Sequence, residues 1–179
     1  MRVAHWARRA GACLTALSLG TLAVLAAEPP LLDWPDLIPP EQAKAAATTG
    51  LRGLVTHEQG VQIVPDAGTV PAGVRRDLNG KEVRIAGYLV PLGLDGTKIK
   101  EFLIAPFLGA CIHVPPPPAN QLVLTRFKAG LEMSLRLFSD PIIVTGKIGT
   151  TAVDADLGEQ GSTPVGYEMD ATQVRFFEQ

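Results

Sequence analysis

The chain has 179 residues, which suits one domain with short extensions. It contains 18 glycines and 15 prolines, and this density of helix breakers excludes a fold built from long helices. The formal net charge of −2 and the lack of a basic run argue against nucleic acid and anionic membrane surfaces as partners.

The first 27 residues have the features of an export signal. Three arginines precede an apolar run over residues 10–25, and small residues after it offer a cleavage site near Ala27. Cys13 lies at the start of the run and not after it, so it is not placed for lipidation. The run is short for a membrane span, which needs about 20 residues, although an uncleaved anchor is the alternative. We therefore predict an exported protein without stable membrane insertion after cleavage.

Residues 28–76 are predicted to form an N-terminal arm and a short helix. The arm over 28–38 is extended and has apolar anchors such as Trp34. A helix is expected from Pro39 to about Thr48, because proline suits a first turn and three consecutive alanines follow. The residues after it show no clear period. His57 lies among them, either as an exposed loop residue or as a metal ligand brought in by the fold.

Residues 77–179 alternate between apolar and polar side chains, which is typical of half-buried strands. Gly87 in the first strand indicates a bend or bulge. Several short strands, glycine bends in two of them and one N-terminal helix predict a mainly β fold, a small OB-like β-barrel of five to six strands. Tyr88 and Tyr167 are expected to place their hydroxyls at its rim. The predicted strands are 81–92, 99–107, 121–127, 129–138, 142–148 and 165–177, with a loop over 150–164.

The segment from Gly109 to Gln121 is the most unusual stretch, and it is expected in an exposed loop between the second and third strands. It contains Cys111, His113 and four consecutive prolines. Signal removal would leave Cys111 as the only cysteine, so a disulfide within the mature chain is excluded. Four roles for the thiol then remain open: a metal ligand, a reactive group, one half of an intermolecular disulfide, or a buried inert side chain.

Cys111 and His113 are two residues apart, and in an extended chain such residues project to the same face. Val114 precedes a proline, which favours extended geometry. Thiolate and imidazole are zinc ligands, so the spacing predicts part of a metal site. A structural zinc site needs four ligands, and the others would come from His57, Glu101, another acidic residue, a partner protein or water.

Other interpretations of the segment remain open. In one interpretation, Cys111 and His113 are packed residues under a rigid loop. In another, Cys111 is a nucleophile and His113 its base, with the side-chain amide of Asn120 or Gln121 orienting the base. A redox role lacks a second cysteine to resolve an oxidised thiol. The four prolines, 115–118, are either a stiff connection or a ligand for an aromatic groove on a partner.

The chain resembles a bacterial exported family of unknown function, DUF3299. The resemblance covers most of the predicted mature chain, and the central block is its most specific part. The matching pieces are Trp34 to Leu37, Gly80-Lys81, Gly87 to Leu92, Glu101 to Leu103, Gly109 to Gln121, Asp140 to Gly146 and Gly166 to Met169.

The resemblance implies a periplasmic protein or lipoprotein that works beside ABC-type permease components, in settings linked to zinc supply. This predicts a non-enzymatic, metal-binding accessory of envelope transport, with zinc held by Cys111 and His113. His57 lies outside the matching pieces, and the missing lipidation signal separates this chain from lipoprotein members. The alternatives are a non-catalytic interaction module for a membrane transport complex and a thiol enzyme that uses Cys111 and His113.

Overall fold

A computed structural model describes residues 27–43, 54–57, 60–63, 73–112, 114 and 116–177, with the backbone alone at 54–57 and 60–63. The strands are β1 Leu31–Leu32, β2 Leu54–His57, β3 Gly60–Ile63, β4 Glu82–Asp95, β5 Lys98–Ala105, β6 Val123–Glu132, β7 Ile142–Asp156 and β8 Ser162–Phe176. Short 3-10 helices span Trp34–Leu37, Arg76–Leu78, Ala119–Gln121, Leu135–Phe138 and Gly158–Gln160. An α-helical turn begins at Pro40, as the proline pair predicts.

Five strands close into a barrel in the order β4, β5, β6, β8 and β7, and β7 pairs back with β4. The β6–β8 pair is parallel and the other barrel pairs are antiparallel. This is the topology of an OB-like barrel. β1 is an additional strand that runs parallel to the start of β4. The prediction of a small OB-like barrel is therefore confirmed.

Gly87 marks the point at which β4 changes partners. The residues up to Gly87 pair with β7, and those from Tyr88 onward pair with β5. A Cβ atom at Gly87 would lie 2.6 Å from the carbonyl oxygen of Ala105 and 2.8 Å from the Trp34 ring. Only glycine allows both the neighbouring strand and the N-terminal arm to approach this closely, as the predicted bend requires.

The second half of β5, from Phe102 to Ala105, is buried on both faces because an apolar cluster lies on each side of it. Phe102 and Ile104 belong to the larger cluster inside the barrel. Leu103 and Ala105 belong to a second cluster on the outer face, with Cys111 and Leu122 from the connection between β5 and β6. The chain after β5 thus folds back over the outside of the barrel and covers this part of the sheet.

Two predictions about local structure were wrong, and a third region contains an element that the sequence did not predict. Residues 129–138 are not one strand, because β6 ends at Glu132 and a 3-10 helix follows. The predicted loop over 150–164 is mostly strand, since β7 runs to Asp156 and β8 begins at Ser162. The stretch without a clear period contains the β2–β3 hairpin. In two of these regions, pairing with a neighbouring strand outweighs a polar or irregular local pattern.

The N-terminal arm is part of the packed fold. The indole N–H of Trp34 donates a hydrogen bond to the carbonyl oxygen of Ala86 at 2.9 Å, and Leu37 is fully buried in the main core. The end of the predicted helix near Thr48 lies outside the described residues. Within the described ranges, no helix is long and apolar enough to cross a bilayer.

Candidate functional site

The connection between β5 and β6, residues 106–122, forms the Cys111 loop. Gly109 and Cys111 both have left-handed backbone conformations, with φ values of 79° and 64°. The amide nitrogens of Ile112 and Val114 donate hydrogen bonds to the Gly109 carbonyl oxygen at 3.2 and 3.3 Å. These turns fold the segment back on itself. The expected extended geometry, with the side chains of residues 111 and 113 on one face, is therefore wrong at Cys111.

Cys111 is packed in an apolar environment. It is a free cysteine, its residue is only 5% exposed, and its neighbours in the outer cluster include Phe107, Ala110 and Leu122. Burial raises the pKa of the thiol to about 11, because an apolar environment disfavours the thiolate. A protonated, buried thiol is the state expected of a packing residue and not of an activated nucleophile.

The predicted metal ligands are only partly within the described chain. His113 lies outside the described residues, and His57 is in β2, where the backbone alone is described. Glu101 is exposed and pairs with Arg126, with 3.3 Å between the Glu101 Oε2 and Arg126 Nε atoms. Among the residues whose side chains are described, no group of three or more His, Cys, Asp and Glu forms a cluster. The metal site with Cys111, His113 and His57 stays a prediction.

The buried amides at the end of the loop have a positioning role. The side-chain nitrogen of Asn120 donates to the carbonyl oxygen of Gly73, and that of Gln121 donates to the carbonyl oxygen of Trp34, each at 3.0 Å. Both side chains were considered as orienting groups for a nucleophile. They instead connect the loop to the N-terminal arm, and the expectation of a fully exposed loop is wrong at these residues and at Cys111.

The outer rim of the loop is apolar and exposed. Leu108, Ile112 and Val114 are between 43% and 52% exposed, and Pro116 is also exposed whereas Pro117 is buried. The whole stretch from Phe102 to Thr125 contains no Asp, Glu, Lys or Arg. The loop therefore presents an uncharged surface of aliphatic side chains. Its backbone is held in place by the buried Cys111 side chain and by the hydrogen bonds of the Asn120 and Gln121 amides.

Tyr167 links the barrel to the arm, although its hydroxyl was expected at the rim. The side chain is fully buried. Its hydroxyl donates a hydrogen bond to the carbonyl oxygen of Leu37 at 2.7 Å and accepts one from the amide nitrogen of Arg75 at 2.6 Å. Burial raises the pKa of the phenol, so it stays protonated and able to donate.

A shallow groove of about 540 Å³ lies beside the base of the loop, and the sequence did not predict it. Its floor includes Ala119 and Gly166, and one wall is the β-bulge in β7 between Thr150 and Val153. Residues 150–164 are mostly small and polar and were predicted as a loop, so neither the strand nor its bulge could be placed from the pattern.

The outer face of β5 and β6 is the surface on which OB folds bind their ligands. In this chain the Cys111 loop covers one part of that face. The uncovered part has paired charges, with Arg126 bridging Glu101 and Glu168, and Lys98 beside Glu132. The fold and the site thus define a class, an OB-like barrel with an arm-capped core whose outer β5–β6 face is partly covered by its own apolar loop.

The chain belongs to the family of proteins of unknown function DUF3299, whose model matches residues 34–176. The resemblance found in the sequence is thereby confirmed. The match begins at Trp34 and ends at the last residue of β8, so it includes the second part of the arm, the loop and the whole barrel.

Among solved structures, a DUF3299 family protein from Pseudomonas aeruginosa PAO1 is similar at 29% identity, with a TM-score of 0.62. The match covers 86% of this chain and 99% of that protein. An OBody bound to hen egg-white lysozyme matches at 18% identity over 64% of this chain and 98% of its own, with a TM-score of 0.33. No curated protein matches the chain.

Proposed function

We propose that this protein is a non-catalytic interaction module of the bacterial envelope, and that it docks onto a membrane transport complex through the Cys111 loop. The export prediction for residues 1–27 and the implied setting beside ABC-type permease components supply the location and the partner class. The observation that carries the proposal is the exposed, uncharged rim of Leu108, Ile112 and Val114.

The rim is suited to an apolar protein surface. Burying aliphatic side chains of this size contributes about 1.5–3 kcal/mol for each one that becomes fully covered. A charge-free stretch from Phe102 to Thr125 avoids the desolvation of charged groups at the centre of an interface. The left-handed turns and the buried amides hold the backbone in place, so little conformational entropy is lost on binding.

The features against catalysis support the same proposal. Cys111 is buried and its pKa is raised to about 11, which is the opposite of what a nucleophile needs. The amides of Asn120 and Gln121 are engaged with backbone carbonyl groups of the arm segments. The N–H groups of both amides are therefore taken up by these carbonyl groups and are not free to stabilise an oxyanion.

Co-purification from solubilised membranes tests the docking role. The wild-type chain should retain transport-complex subunits, whereas Ile112→Asp should lose them, because an exposed aspartate places a charge in the apolar contact. Val153→Asp is the matched control, since Val153 is exposed to the same extent on the β7–β8 hairpin. Equal retention by all three chains would contradict docking through the loop.

Zinc binding is the second candidate function, and its basis is the Cys111-Ile112-His113 sequence. A metal ion bound there would have to deprotonate a buried thiol, so its affinity would rise with pH. Zinc content of the anaerobically purified chain, compared with Cys111→Ser, His113→Ala and His57→Ala, tests it. Equal zinc content in all four proteins would rule out a site built from these residues.

A further inference from the structure

The N-terminal arm enters the fold at a fixed point on the barrel surface. The Arg84 side chain forms a salt bridge with Glu28, and its Nε donates a hydrogen bond to the carbonyl oxygen of Pro29 at 2.8 Å. The Arg84 amide nitrogen donates to the carbonyl oxygen of Pro30, also at 2.8 Å. Arg175 on β8 lies 4.0 Å from the Glu28 carboxylate. The chain is therefore attached to the barrel from Glu28 onward.

This attachment leaves a very short connection to the apolar run of residues 10–25. Only Ala26 and Ala27 separate Leu25 from Glu28, and the three steps from one to the other span at most about 10 Å in an extended chain. While the apolar run is inserted in a membrane, the barrel surface around Glu28 must lie within that distance of the bilayer. A flexible linker would permit any orientation, but this connection permits only a few.

The surface next to this point carries exposed apolar side chains. Leu135 is 89% exposed, and Leu31, Phe138 and Phe177 are also exposed. The amide nitrogen of Phe177 donates to the carbonyl oxygen of Pro141 at 2.9 Å, so Phe177 lies beside the segment that follows Phe138. Phe177 comes two residues after Arg175, which faces Glu28.

Arginines border these apolar side chains. The Arg136 guanidinium lies 4.1 Å from the centre of the Phe176 ring, and Arg84 and Arg175 flank Glu28. We call the surface formed by Leu31, Leu135, Phe138, Phe177, Arg136 and Arg175 the arm-exit face. Leucine and phenylalanine next to arginine are typical of a surface that rests at the boundary between lipid headgroups and acyl chains.

We propose that the arm-exit face lies on the surface of the bilayer into which the N-terminal apolar run inserts. The barrel is thereby oriented on the membrane before cleavage of the signal, or permanently if the run is retained. This inference rests on the export prediction for residues 1–27 and is independent of docking by the Cys111 loop. The apolar run alone would only attach the barrel to the membrane, whereas the arm-exit face determines which side of the barrel contacts the lipid.

Tryptophan quenching by brominated lipids tests the orientation in the full-length chain reconstituted into phosphatidylcholine vesicles. Leu135→Trp adds an indole on the arm-exit face at a position too exposed to disturb the core. Val153→Trp and Ile112→Trp are the controls, since both positions are exposed but lie on the β7–β8 hairpin and on the Cys111 loop. The wild-type chain provides the background from Trp6 and Trp34.

The expected result is a loss of fluorescence and a blue shift for Leu135→Trp, with both controls at the wild-type level. Phe177→Trp should behave like Leu135→Trp, and adding Leu135→Glu and Phe138→Glu to it should abolish its quenching. Equal quenching at all positions, or stronger quenching for Ile112→Trp, would overturn the proposal. Failure of the wild-type chain to float with the vesicles would overturn it together with the export prediction.

Discussion

The phenol of Tyr167 donates a hydrogen bond to the carbonyl oxygen of Leu37 at 2.7 Å, and this bond joins the last barrel strand to the N-terminal arm. The phenol oxygen of Tyr167 also accepts a hydrogen bond from the Arg75 amide nitrogen. One buried hydroxyl thus holds two segments that are far from it in the sequence. The arm therefore behaves as a part of the barrel core and not as a linker.

Tyr167→Phe should lower the free energy of unfolding by about 2 kcal/mol, because the Leu37 carbonyl and the Arg75 amide both lose a buried partner. Denaturant unfolding of both proteins measures the difference. Tyr88→Phe is the control, since Tyr88 is only half-buried and has no hydrogen bond from its hydroxyl within the described part of the chain. Equal losses for the two variants would show that the arm is not held by this bond.

Gly87→Ala should destabilise the fold by about 1–3 kcal/mol or more, because the new methyl group would overlap Ala105, Ile104 and Trp34. Gly93→Ala lies on the same strand with no atom within 4 Å of the added methyl, and it should have little effect. Thermal unfolding of the pair gives the comparison. If both variants unfold at the same temperature as the wild-type chain, close packing of the arm against Gly87 is contradicted.

Cys111 should be unreactive in the folded protein. A rise in pKa from 9.0 to about 11 lowers the thiolate fraction near pH 8 about 100-fold, and burial slows access further. Iodoacetamide labelling followed by mass spectrometry, on a Cys13→Ser background, should be slower than in denaturant by at least that factor. Rapid labelling of the folded chain would instead support a thiol enzyme.

The same shift should make stability depend on alkaline pH. The thiol ionises near pH 9.0 in the unfolded chain and near 11 in the folded one, so raising the pH favours unfolding across this interval. The contribution is fully present below pH 9, is lost by about pH 11, and amounts to about 2–3 kcal/mol. The stability difference between wild type and Cys111→Ala should shrink over that range. A constant difference would mean that the thiol is not desolvated.

Much of the barrel could be predicted from the sequence. Val83, Ile85 and Leu89 alternate with polar residues, and this period-2 pattern with Gly87 at its centre is enough to place a bent, half-buried strand. The extension of β7 and β8 past residue 150 could not be predicted in the same way. Small and polar side chains form the outer part of that hairpin, and their strand conformation comes from pairing with each other.

The sequence by itself determined that residues 109–121 are distinctive, that a cysteine and a histidine lie close along it, and that no charge occurs between Phe102 and Thr125. The tertiary structure alone decided that Cys111 is buried in the outer apolar cluster while Leu108 and Ile112 are exposed. The physical reason is the left-handed conformation at Cys111, which reverses the direction of its side chain relative to an extended strand. Such a conformation is maintained by burial and by hydrogen bonds to segments that are distant in the chain, and a local pattern does not contain that information.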